Sequence, residues 1–143
     1  MINDELKKQI QEFFKLNNYV VVKNHISTET ANLCYQYMKT KVLAIDNKMM
    51  NDNNKYDEDW DGKFGDGQIQ SDFNLYGDHL MDSILLLSQN AMQDYTGLNL
   101  IPTYSYTRFY EKGSELLKHR DRESCEISTT LCLGYDVSNL DKE

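Results

Sequence analysis

Cysteine is scarce in this chain and has no pairing pattern: Cys34, Cys125 and Cys132 are odd in number and form no CxxC. That argues against a disulfide framework and a structural zinc site, and fits a reducing cytoplasm. Long apolar runs are missing too, so no segment reads as a membrane span. The opening "MINDELKKQIQEFF" is charged from the start and lacks the apolar core of a signal peptide. Basic residues are outnumbered, 15 Lys and Arg against 23 Asp and Glu, for a net charge of −8. No basic stripe is interleaved with aromatics, so neither nucleic acid nor an anionic membrane is an expected partner. A local basic pocket stays open. What is present, 143 residues at 40% hydrophobic and 27% charged, suffices for a single soluble domain over 1–143.

Periodicity divides that domain. Ile2, Leu6, Ile10, Phe13 and Phe14 fall at helical spacing until Asn17-Asn18. Tyr19 to Lys23, "YVVVK", is short and β-branched and reads as a strand. Ser27 is placed to cap a helix that carries Ala31, Cys34, Tyr35, Met38 and Val42 on one face. From Asp46 to Phe73 the pattern disappears into an acidic stretch rich in Asn, Asp and Gly, which reads as a loop. Asp78 then caps a helix ending at Gly97, with Leu80, Ile84, Leu87, Ala91 and Tyr95 inward. Residues 1–97 are therefore mainly helical around the loop at 46–73.

After Gly97 the period becomes two. "LIPTYSYTRFYEKG" alternates Tyr104, Tyr106, Arg108 and Tyr110 with Thr103, Ser105, Thr107 and Phe109. Residues 115–119 read as a second strand and "EISTTLCLGYD" as a third. Helices precede strands, so the class is α+β with a mainly antiparallel sheet.

Two places carry possible chemistry. Asp57, Asp59 and Asp61 followed by Gly62 match the start of a calcium loop, with oxygen donors at alternate positions. The twelfth position is Gln68, which cannot supply the bidentate carboxylate, so an acidic solvated loop is the simpler expectation. The second place is His119 with Asp121. On a strand, residues i and i+2 share a face, so an imidazole and a carboxylate aim at one point. That is part of the 2-His-1-carboxylate arrangement of non-haem Fe(II) oxygenases; an exposed polar turn is the alternative. His25 and His79 have no companion at ligand spacing and read as packing or surface residues. Arg108 either binds an anion or pairs with a nearby acid.

The context of His119 strengthens the metal reading. "PTYSYTRFYEKGSELLKHRDR" followed by "CEISTTLCLG" resembles the first half of the double-stranded β-helix (jelly-roll, cupin-like) domain of 2-oxoglutarate- and Fe(II)-dependent dioxygenases. The nearest branch is the prolyl-4-hydroxylase-like group, including small bacterial and phage-encoded members. "YGDHLMDSILLL" and "TGLNLIPTYSY" are similar to that group's helical lead-in. The resemblance implies an oxygenase, a hydroxylase acting on a small-molecule or peptidyl substrate, with Fe(II), 2-oxoglutarate and possible use of ascorbate. It places the metal ligands at His119 and Asp121. Tyr110, Ser128, Thr130 and Cys132 fall where the family lines the co-substrate pocket.

One departure stands out. The family needs a second histidine and then a basic residue several strands later, and no histidine follows His119. The resemblance covers most of residues 19–136, strongly only after Leu98, and breaks off midway through the β-helix, whose first half is 98–143. The expectation is a C-terminally truncated fragment, inactive alone, with a second chain as one source of the missing strands. The competing expectations are a non-catalytic remnant and a calcium-dependent binding module using residues 57–68.

Overall fold

A computed structural model describes residues 3–50 and 57–136, with the side chains of 46–50 left aside. Its elements in order are α1 (Asp4–Asn17), α2 (Thr28–Met50), α3 (Glu58–Asp61), β1 (Lys63–Phe64), β2 (Phe73–Tyr76), α4 (His79–Thr96) and β3 (Tyr106–Phe109). The protein is thus mixed helix and antiparallel sheet, α+β. It divides into two compact units, Met1–His25 with Gly77–Ser105, and Ile26–Tyr76 with Tyr106–Glu143. No helix among the described residues is long and apolar enough to cross a membrane.

The first unit is a helix pair, α1 on α4. Asn3 starts α1 by accepting from the Leu6 amide at 2.8 Å, and Asn18 ends it in the left-handed region at φ 61°. Asp78 caps α4 through the amides of Leu80 and Met81, and Gly97 closes it at φ 73°. Between the helices, Lys7 pairs with Asp94, and the Gln11 amide donates to the Asp94 carbonyl at 2.9 Å. His25 is tied on both ring nitrogens, to Ser88 Oγ at 2.9 Å and Tyr95 Oη at 3.2 Å. That arrangement makes it a packing residue of this unit.

In α4 the inward row differs from the expected one. Met81 and Tyr95 are buried, whereas Leu87 is 80% exposed. The stripe runs through Met81, Ile84, Leu85, Ser88 and Tyr95; Leu87, two positions past Leu85, therefore points away.

In the second unit, Ser27 caps α2 by accepting from the Thr30 amide at 3.2 Å. Cys34, Met38 and Ile45 are buried along one face of that helix. The sheet runs β1-β2-β3, all antiparallel. Phe73 pairs with Phe64 on one side and Phe109 on the other, so all three share a face. That face meets α2, where Tyr35 stacks on Phe109 with ring centroids 6.0 Å apart. Asn74 pairs with Lys63 and Arg108, which defines the polar face.

Three expectations need correction. The acidic stretch at 46–73 is not loop throughout, because α2 continues to Met50 and α3, β1 and the start of β2 lie within it. Residues 51–56 lie outside the described part. Residues 19–23 form no strand: Tyr19 and Val21 are exposed, and β-branching alone makes no ladder without a hydrogen-bonding neighbour. For the same reason, 115–119 and 126–136 are not strands among the described residues. The alternation of the last segment survives in burial, with Ile127, Leu131 and Leu133 less exposed than Ser128, Thr130 and Cys132. Its end still packs on α2, since a Cβ on Gly134 would stand 2.8 Å from the Tyr35 ring.

Candidate metal-binding pair and the polar sheet face

The polar face of the sheet is built around Arg108. Its side chain is only 4% exposed and donates through Nη2 to Asp66 and, at 3.1 Å, to Gln68 Oε1. The guanidinium also lies over the rings of Tyr106 and Tyr110, 5.4 and 5.7 Å from their centroids. Asp66 reaches it from a tight loop: its Oδ1 accepts from the amides of Gln68 and Ile69, both at 2.8 Å, while Oδ2 takes Arg108 and the Tyr106 hydroxyl. Burial works to raise the pKa of Asp66. The Tyr106 hydroxyl, the two loop amides and the charge of Arg108 outweigh it and hold the carboxyl at about 2. Tyr106 is pushed up by burial and by its bond to that carboxylate. Of the two expectations for Arg108, pairing with an acid is what the structure contains.

A second buried carboxylate fixes the turn ahead of His119. Asp72 is fully buried and accepts from Ser114 Oγ at 2.5 Å and from the Glu111 amide at 3.4 Å. Neither Asp66 nor Asp72 stood out in the sequence, because both lie in an acidic stretch that reads as solvated. The signal that could have found Asp66 is the Asp66-Gly67 pair, a composition that favours turns in which the Asp side chain accepts from amides just ahead of it.

His119 and Asp121 come together although neither is on a strand. Their side chains approach to 3.6 Å between Nε2 and Oδ1. Each has its far side engaged. His119 Nδ1 donates to the Leu117 carbonyl at 2.8 Å, which leaves Nε2 as the ring nitrogen on the Asp121 side. Asp121 Oδ2 accepts from the Ser128 hydroxyl at 2.5 Å, leaving Oδ1 toward the imidazole. Ser128, expected on a co-substrate face, is therefore a partner of Asp121. Arg122, the next residue, crosses the Tyr76 ring at 5.3 Å.

The other candidates are placed less tellingly. Tyr110 is half exposed beneath Arg108. Thr130 is exposed, and Cys132 is an exposed thiol. His79 opens α4 on the surface. In the proposed calcium loop, Asp57 caps α3 by accepting from the Asp59 amide, and Asp61 accepts from the Asp57 amide at 3.2 Å. Gln68, its twelfth position, is bonded to Arg108.

The donor chemistry can be set against what an ion requires. Two donors about 2.1 Å from one ion stand about 3.0 Å apart at a right angle and about 3.4 Å apart at a tetrahedral one. The observed 3.6 Å needs closing by about half an ångström, which small side-chain rotations can supply. One imidazole nitrogen and one carboxylate oxygen fit two positions of a facial Fe(II) site. Among the described residues, no three His, Cys, Asp or Glu side chains gather as a metal-binding group.

No family model, curated protein or solved structure matches the chain.

Proposed function

We propose that this chain carries part of a 2-oxoglutarate- and Fe(II)-dependent oxygenase, a hydroxylase of a small-molecule or peptidyl substrate, with His119 and Asp121 as two of its iron ligands. The reading rests on the resemblance of residues 98–136 to that family. The observation that supports it is the tethered pair, Nε2 and Oδ1 at 3.6 Å with their other polar atoms already engaged. In this reading the three-stranded sheet is part of a double-stranded β-helix, and the third ligand stands on further strands of that β-helix. The chain works in a reducing cytoplasm, in keeping with three cysteines of which none is in a disulfide.

When bound, iron with 2-oxoglutarate and O2 supplies the oxidising power for C–H hydroxylation, and ascorbate keeps the iron reduced. The chain's own residues do simpler things. His119 through Nε2 and Asp121 through Oδ1 would hold the ion. Tyr110 and the Thr130–Cys132 edge border the co-substrate. Arg108 does not bind the co-substrate carboxylate here, because Asp66 occupies it.

The test is titration of the chain with Co(II), a spectroscopic stand-in for Fe(II), in wild type, His119→Ala and Asp121→Ala. The expected result is one weak site, with a dissociation constant in the tens to hundreds of micromolar, lost in both variants. A two-ligand site releases no succinate by itself from Fe(II), 2-oxoglutarate and ascorbate. Equal Co(II) binding by all three proteins overturns the assignment.

A further inference from the structure

We infer that Ser128 is a positioning residue: its hydroxyl clasps Asp121 across the six residues 122–127 and fixes which carboxylate oxygen faces His119. The inference rests on the proposed iron-binding role of the pair and gives Ser128 a different task from the pocket-lining one the resemblance implied.

A carboxylate on a mobile surface side chain is an indifferent ligand, because either oxygen can point anywhere the two side-chain torsions allow. Asp121 is 44% exposed, so packing does not hold it. The Ser128 bond does. At 2.5 Å from Oδ2 it has the length of a charge-assisted O–H···O⁻ bond, the stronger class of hydrogen bond. With Oδ2 taken, Oδ1 is the oxygen left toward Nε2 of His119. The Leu117 carbonyl does the corresponding work on the imidazole by accepting from Nδ1.

The intervening chain is shaped to let the clasp close. Between Asp121 and Ser128 the backbone reverses in a turn in which the Cys125 amide donates to the Arg122 carbonyl at 2.8 Å. On either side of Ser128 the segment is anchored, by Ile127 before it and by Leu131, Leu133 and the close approach of Gly134 to Tyr35 after it. Ser128 therefore stands on an anchored stretch and Asp121 on an exposed one. The hydroxyl lends the carboxylate a fixed position it does not otherwise have. Partners that orient metal ligands in this way typically change affinity about 10- to 100-fold when removed.

The experiment uses the full chain and Co(II) alone, in wild type, Ser128→Ala and Ser128→Thr, with amide hydrogen exchange of residues 122–127 measured on the metal-free proteins. Expected is an affinity loss of about 10-fold or more in Ser128→Ala, recovery to within about 3-fold in Ser128→Thr, and an unchanged unfolding midpoint in both. Exchange at the Cys125 amide should quicken in Ser128→Ala and return to the wild-type rate in Ser128→Thr. If wild type binds Co(II) and Ser128→Ala binds it equally well, the positioning role is overturned while the metal reading stands. If wild type binds no Co(II), the iron-site reading falls, and the exchange data alone decide whether the clasp exists. Identical exchange in all three proteins removes it.

Discussion

Replacing Asp66 with Asn should destabilise the second unit far more than loss of a surface ion pair would. Exposed pairs are worth about 0–1 kcal/mol. Asp66, however, is the counter-ion of an Arg108 side chain that is only 4% exposed. Two guanidinium nitrogens, Nε and Nη1, are already buried without a partner. With the amide oxygen kept on the Gln68 and Ile69 amides, the Asn variant turns its NH2 toward Arg108, whose remaining acceptors, Gln68 Oε1 at 3.1 Å and the Tyr106 hydroxyl at 3.4 Å, are both neutral. Breaking one partner of a buried pair costs about 3–5 kcal/mol.

The pH dependence gives a second, independent handle on the same contact. Asp66 is held at about 2 in the folded chain, against about 3.9 in an unfolded one. A carboxyl with a depressed folded pKa adds stability above its unfolded value and loses it as pH falls through the folded value. The contribution here is about 2–3 kcal/mol, present above pH 4 or so and gone below pH 2. Urea unfolding followed by circular dichroism, at pH 7 and at steps from 4.5 to 2, measures both quantities. The Asn variant should be less stable by about 2–5 kcal/mol at neutral pH, and the gap should narrow toward pH 2. A variant within about 0.5 kcal/mol of wild type at pH 7, the usual spread for surface changes, would refute the reasoning. So would a gap that did not change with pH.

Other outcomes follow from single contacts. At Gly62 φ is +86°, and an added Cβ would lie 2.5 Å from the buried Phe73 ring and 2.7 Å from the Asn74 carbonyl oxygen. Gly62→Ala should therefore cost about 2–5 kcal/mol, strain and overpacking together. Gly113→Ala shares the positive φ but meets nothing within 4 Å, and should lose only the strain part, about 1–3 kcal/mol, in the same unfolding assay. Residues 57–68 should bind calcium weakly, because two of the aspartates serve local amides and Gln68 serves Arg108. Calorimetry giving a dissociation constant below about 10 µM, the sensor range, would contradict that.

What could be read in the sequence was what is decided locally. Asp78 and Gly97 mark the ends of α4, and Ser27 the start of α2, because a cap depends on residues only a few positions apart. The buried pair Cys34 and Met38 came from the same short-range logic. The errors begin where structure depends on distant chain. β2 lay at the margin of an apparent loop because its partners, Lys63–Phe64 and Tyr106–Phe109, are remote in sequence. The reverse error struck "YVVVK", which has every local mark of a strand and no partner among the described residues.

The pair at 119 and 121 shows a subtler version of the same distinction. Period-two geometry was the reason to expect His119 and Asp121 on one face, yet no ladder runs through either residue. They are close for another cause: a bond to a carbonyl two residues back and a hydroxyl seven residues on. The residue types were therefore informative where the assumed backbone was not. An imidazole needs one nitrogen tied to present the other, and a carboxylate needs one oxygen tied to present the other. Both requirements can be met by loops as well as by strands. Ser128 carries the weight of that difference. On a β-ladder its side chain would be one more lining group. In a loop it is the contact that gives Asp121 a direction.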